Sequence, residues 1–359
     1  MITFLALIGH RHGGDQGFRF QIGLEKGICL QTDRTKGIYY MKVQSTKYLV
    51  LAGLLAVSTS AFAETTETPA AETTTKIEDV TPNTPVKKDG EADVDEVITN
   101  RKLRAETGSK NLYSFSAALG YNGGTINNPM SDVRPNIASA VFDPAQPALS
   151  GSIGGKYKIS ALQSLSVDVG VLVRKPFHGD DKKTFRERTT VSNPSLTYQV
   201  VYQAAGIQNV TAVSGTWTTD EAYRAIGDLG TIGFGQTAIY DFGGSKFSAG
   251  LAFDASYTVF DKNDEALRGD QSDYQFGFYP FAELVLNDTL NLRTVFRPFT
   301  FQHVRAEPFG NVVRNVNTQS FGLGISVTRD IYLYPNIQFV LEDARAERTN
   351  VALSANINI

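Results

Sequence analysis

The sequence predicts an all-β protein: a transmembrane, antiparallel, up-and-down β-barrel of about twelve strands, preceded by a disordered N-terminal periplasmic tether. Three observations carry that expectation. From Asn111 to Ile359 apolar and polar residues alternate with the two-residue period of strands whose faces differ chemically. The connections between these runs alternate between short and long. And although 42% of the 359 residues are hydrophobic, no stretch of about 18 apolar residues could cross a bilayer as a helix.

Four segments follow in order. Residues 1–40 precede an internal methionine and match no targeting pattern, and are expected to be a gene-model extension. Met41 then opens a leader: Lys42 and Lys47 supply positive charge, Tyr48 to Val57 an apolar run, and Ala61-Phe62-Ala63 an A-x-A cleavage site. The expected signal peptide is therefore 41–63. Cys29 is the only cysteine, so the exported chain has no disulfide and no cysteine to carry a lipid anchor.

Residues 64–110 read as the flexible periplasmic tether. Up to residue 92 it is rich in Thr, Glu, Pro and Ala, with too little apolar surface to offset the entropy of ordering. Asp93 to Glu106 carries a loose helical pattern, with Val94, Val97, Ile98 and Leu103 towards one face. The pattern fits a surface turn and a short partner-binding helix equally.

The barrel is expected over 111–359, in runs at 111–123, 148–159, 164–174, 195–205, 210–217, 230–240, 247–260, 274–286, 290–301, 318–328, 331–341 and 350–359. Phe247 to Phe260 is the clearest. Phe247, Ala249, Leu251, Phe253, Ala255, Tyr257 and Val259 alternate with Ser248, Gly250, Ala252, Asp254, Ser256, Thr258 and Phe260. Pro280, Pro298 and Pro335 interrupt the pattern and predict bulges or strand ends, since proline donates nothing to a ladder.

The apolar faces are too bulky to pack inside a ring of this strand number, and the polar faces are mostly Gly, Ser, Thr, Asn and Gln. No Asp, Glu, Lys or Arg falls on an apolar face. Lys156, Lys158, Asp168, Arg174, Asp254, Glu283, Arg293 and Arg297 all fall on polar ones and are the expected pore-lining residues. A Lys or Arg facing hydrocarbon at mid-membrane costs about 2–4 kcal/mol, so the apolar faces are expected to meet lipid. Glu283 and Arg293 lie equidistant from the turn around Asp288, which predicts a cross-strand ion pair. The excess of basic lumen residues predicts a mild anion preference. Tyr121, Tyr157, Trp217, Tyr240, Phe242, Phe260, Phe276, Tyr332 and Tyr334 are expected in interfacial girdles.

In this pattern residues 111–359 resemble the porin-like outer-membrane barrels of Gram-negative bacteria, although those usually end on an aromatic and this chain ends on Ile359. Val97 to Lys110 (VITNRKLRAETGSK) is similar to the major outer-membrane proteins of predatory Bdellovibrio-type bacteria. The resemblance implies a channel for passive diffusion of small solutes in the cell outer membrane. The alternative is a non-conducting structural or surface-interaction barrel blocked by ion pairs, by loop 124–147 or by the tether. Expected partners are outer-membrane lipid and lipopolysaccharide, the outer-membrane assembly machinery and sister copies of the chain. A net charge of −3 gives no basic footprint for nucleic acid.

Nothing in the sequence builds a catalytic centre, so the chain is read as a non-enzyme with no cofactor and no metal. The exported chain's histidines are His178 and His303, and neither Ser164 nor Ser195 stands in a nucleophile context. His178 with Asp180 and Asp181 reads as a solvated loop. Gly230-x-x-Gly233-x-Gly235 lies within a strand pattern with no helix after it, unlike a phosphate loop. Asp261-Lys262-Asn263-Asp264-Glu265 spaces its oxygens like a calcium loop but has Ala266 where glycine is needed.

Overall fold

The computed structural model describes residues 93–137, 144–178, 188–243, 245–261 and 271–359, with the backbone of Phe20–Gln21, Ile28–Asp33 and Ile38–Val43. Most of the expected leader, all of 64–92, Asp180, Asp181 and 262–266 lie outside the described residues.

Twelve strands form the barrel. They are β1 (Tyr113–Thr125), β2 (Ala148–Ser160), β3 (Gln163–Arg174), β4 (Thr189–Ala204), β5 (Ile207–Trp217) and β6 (Asp228–Asp241). Then come β7 (Phe247–Phe260), β8 (Ser272–Val285), β9 (Leu290–Arg297, resuming as Phe299–Val304), β10 (Thr318–Ser326), β11 (Ile331–Val340) and β12 (Asn350–Asn358). Each pairs antiparallel with the next. β12 returns to β1, with Leu353 opposite Tyr121 and Ile357 opposite Ala117. The ring is closed, so no edge of this sheet is left to template aggregation.

All twelve expected runs are strands, and the prolines show how. Phe281 pairs with Val295 but Phe278 pairs with Phe299, so two residues of β8 face three of β9. Pro280 and Pro298 both sit in that bulge, where neither withholds an N–H from a regular ladder. Pro335 keeps its place opposite Leu353 on the β12 side. On the β10 side the ladder lapses between Gly322↔Asn336 and Ile325↔Leu333 without a change of register. The strand count stays at twelve because each loss is local.

Side-chain direction is the reverse of a soluble protein. Val167, Val191, Leu196, Val213, Trp217, Ile232, Leu251 and Phe321 are exposed on the outside. Lys156, Lys158, Gln208, Glu283, Asn291, Arg293 and Asn350 are buried. Among the described residues no helix is long and apolar enough to cross a membrane.

Two expected girdle residues are corrected. Tyr332 and Tyr334 are 1% and 6% exposed and point inward. They stand two apart on β11, while Leu333 between them faces outward with Ile325 and Ala355. Tyr157, Trp217, Tyr240 and Phe242 are exposed, consistent with a girdle.

Short connections at one end (161–162, 205–206, 242–246, 286–289 and 327–330) alternate with longer ones at the other. One of the longer connections carries a short helix, Glu221–Ala225, capped by Asp220. A second compact unit takes in Met1–Val80 and Glu307–Arg314. Its described backbone is a small antiparallel ladder joining Phe20–Gln21, Ile28–Asp33, Ile38–Val43 and Asn311–Arg314 in that order.

Candidate functional site

Ahead of β1 the chain forms α1 (Val94–Val97) and α2 (Arg101–Thr107). Both start on well-formed caps. The Asp93 carboxylate accepts from Asp95 N at 2.9 Å, and Glu96 reciprocates on Asp93 N at 3.1 Å, a capping box. Asn100 Oδ1 accepts from Leu103 N at 3.1 Å, and Gly108, at φ +95°, ends α2 in a conformation that disfavours a side chain. A Cβ there would also lie 3.0 Å from Lys156 Cδ.

These helices sit inside the barrel at its short-turn end. Val94, Val97, Ile98 and Leu103 form one cluster with Val201, Val210, Ile239, Phe281 and Val295, which come from the inner faces of β4, β5, β6, β8 and β9. Ile98 is 0% and Leu103 1% exposed. Fully burying such a side chain is worth about 1.5–3 kcal/mol, so the docking has a substantial apolar drive. The segment read as a surface turn or partner-binding helix is therefore an internal plug.

Polar contacts fix its register. Gln208 Oε1 accepts from Thr99 N at 2.9 Å and Asn100 N at 3.1 Å, while Thr99 Oγ1 donates to Asp241 Oδ2 at 2.7 Å. At the end of α2 the carbonyls without intrahelical partners are met from the wall. Lys156 Nζ donates to Glu106 O at 2.7 Å, Lys158 Nζ to Thr107 O at 2.9 Å, and Asn358 Nδ2 to Ala105 O. Two ammonium groups at a helix C-terminus also match the sign of its dipole.

An ionic latch holds the other side. Arg329, in the β10–β11 turn, forks onto Asp95, with Nε 2.9 Å and 3.0 Å from the two carboxylate oxygens and Nη2 2.7 Å from Oδ1. Its Nη1 donates to Gly108 O at 2.9 Å. Lys110 bridges Asp93 at 2.8 Å and Asp95 at 2.9 Å. Burial alone would raise the Asp95 carboxyl, but the hydrogen bonds from Arg329 and Lys110 outweigh it and hold its pKa at about 2. The same opposition leaves Asp93 below the ordinary carboxylate value and Lys110 above the ordinary ammonium value.

The expected pore-lining residues divide into four pairs. Lys156 and Lys158 hold the plug. Glu283 and Arg293 are directly opposite in the β8–β9 ladder and form a buried ion pair. Glu283 Oε2 also accepts from Asn100 Nδ2 at 2.9 Å and Asn291 Nδ2 at 3.1 Å, and the Arg293 guanidinium lies 4.4 Å from the Phe281 ring centroid. That pair too is joined to the plug. Asp168 accepts from Ser116 Oγ at 2.7 Å, and Arg174 Nη1 donates to Thr190 Oγ1 at 3.4 Å near the long-loop end of β3. Asp254 and Arg297 line a cavity of about 460 Å³, with Lys102 of the plug at its border.

Sequence reasoning missed Gln208, Asp241, Asn291, Arg329 and Asn358. A signal was present: Val201, Val210, Ile239, Phe281 and Val295 break the polar face with bulky apolar residues, which marks an inner wall covered by something apolar.

No family model matches the chain, and no curated protein matches it. Among solved structures it is similar to an outer-membrane channel of Pseudomonas putida F1, at 13% identity over 71% of this chain and 98% of that one, with a TM-score of 0.42. It is also similar to the NanC porin, at 9% identity over 68% of this chain and 98% of that one, with a TM-score of 0.39. A third is OmpF of Salmonella typhi in complex with daunomycin, at 8% identity over 69% and 97%, with a TM-score of 0.33. The Gly230-x-x-Gly233-x-Gly235 motif lies within β6. Among the described residues no three His, Cys, Asp or Glu side chains gather as a metal site would require.

Proposed function

We propose that the chain is an outer-membrane barrel of a Gram-negative cell, exported by the leader 41–63, that passes small hydrophilic solutes by diffusion in the manner of a porin. The observation that carries this reading is the reversal of faces around a closed ring. A closed barrel satisfies every ladder internally and tolerates lipid, and its apolar exterior calls for lipid rather than water. Inside, the lumen holds a cavity of about 460 Å³ bordered by Lys102 of the plug. Lipopolysaccharide outside, the assembly machinery inside and sister copies laterally are the partners this reading implies. The proposed similarity to Bdellovibrio-type major outer-membrane proteins is carried by the sequence Val97 to Lys110 alone, the segment that forms much of the plug.

The plug favours a second reading, a barrel that does not conduct while residues 93–110 are docked. Swelling of liposomes containing the full chain, challenged with sugars of graded size, separates the two. The channel reading expects swelling with the smallest sugars and a sharp size limit. An inserted, folded barrel that gives no swelling with any sugar favours the second.

A further inference from the structure

Charges on the lumen wall are mostly accounted for. Arg293 is neutralised by Glu283, Lys102 by Glu106, and Lys156 and Lys158 are committed to helix carbonyls. Two are left over. Arg297 Nη1 reaches only Ser320 Oγ, at 3.4 Å, and has no carboxylate partner among the described residues. Asp254 has neither an ion pair nor a hydrogen bond among them, and the opposite charge of Lys102, itself paired with Glu106, acts on it only at longer range. Both border the same cavity of about 460 Å³, a volume within the range of small-ligand sites. Tyr279, Asn336 and Gln338 on its wall add neutral donors and acceptors.

A guanidinium without a carboxylate beside it is a fork shaped for one, and a carboxylate without a hydrogen-bond donor attracts an ammonium group. We propose that this cavity binds small zwitterions, molecules carrying one carboxylate and one ammonium group, with the carboxylate on Arg297 and the ammonium on Asp254. A simple anion would leave Asp254 facing like charge, and a simple amine would leave Arg297 so. Only a zwitterion satisfies both, and it enters a barrel of mixed charge without a net electrostatic barrier. This names a solute class for the channel reading but does not need that reading to hold.

The test is titration calorimetry on the full chain folded in detergent, using the ω-amino acids from glycine to aminocaproate, with caproate and hexylamine as single-charge controls. The expected result is saturable binding by at least one amino acid, about tenfold or more tighter than either control. Arg297→Gln and Asp254→Asn are each expected to weaken that binding by a similar factor. Equal binding of caproate makes the site a plain anion site and overturns the proposal, as does the absence of any preference over the two controls. The ligand comparison on the unsubstituted chain decides this even where a variant fails to fold. Binding without liposome swelling would remove the channel reading and leave the site. Swelling without binding would remove the site alone.

Discussion

At the scale of residues, the most consequential contact is the fork of Arg329 on Asp95. The Asp95 pKa is lowered from 3.8 to about 2 in the folded chain, so the latch is fully present above pH 3.8 and is lost as the pH falls through about 2. Discounted for the solvent reaching this half-buried group, the contribution is about 1 kcal/mol. Hydrogen-exchange protection of residues 93–110, taken against the intrinsic rate at each pH, should therefore fall as the pH is lowered from about 4 to 2. Asp95→Asn should remove that dependence, while unchanged protection across the window would contradict the assignment. The Glu283–Arg293 pair was legible because a hairpin makes positions equidistant from its turn face each other. The partners of Lys156 and Lys158 were not. They are backbone carbonyls some fifty positions away on another element, and a carbonyl has no sequence signature.

At the scale of elements, strands and helices differ in how far pattern alone reveals them. A strand in lipid must show an apolar face along its length, so all twelve runs appear in the alternation, and prolines mark where the ladder gives way. The plug helices show their caps in sequence, with Asp93 and Glu96 making the box and Gly108 the stop. Their destination does not show, because Val94, Val97, Ile98 and Leu103 would serve a partner protein as well as an inner wall. The interruptions of the polar face by Val201, Val210, Ile239, Phe281 and Val295 complete the picture only when read together. Holding α2 by its C-terminal carbonyls has a measurable consequence. Lys158→Met removes a charge-assisted bond worth about 1.5–3 kcal/mol, so exchange of amides 103–108 should accelerate by at least tenfold while the strands stay protected. Acceleration across the whole barrel would mean that the lysine supports the wall rather than the plug.

At the scale of the whole molecule, the fold is an inside-out protein whose stability depends on its solvent. Val213 faces outward near the middle of β5, opposite Phe234. Val213→Arg should lower the stability of the lipid-folded barrel by about 2–4 kcal/mol, whereas Ser214→Arg, one position on and facing inward, should cost far less. Equal penalties would contradict the assignment of faces. The same architecture makes one end of the lumen dependent on the chain's own N-terminal segment. The central claim is that residues 93–110 sit in the short-turn mouth of the barrel and narrow the path that the proposed channel would use. Single-channel recording in planar bilayers compares the full chain with one lacking that segment. The account predicts small or rare openings for the full chain and a several-fold larger, steady conductance for the deletion. Equal conductance of the two, with both barrels folded and inserted, would contradict it.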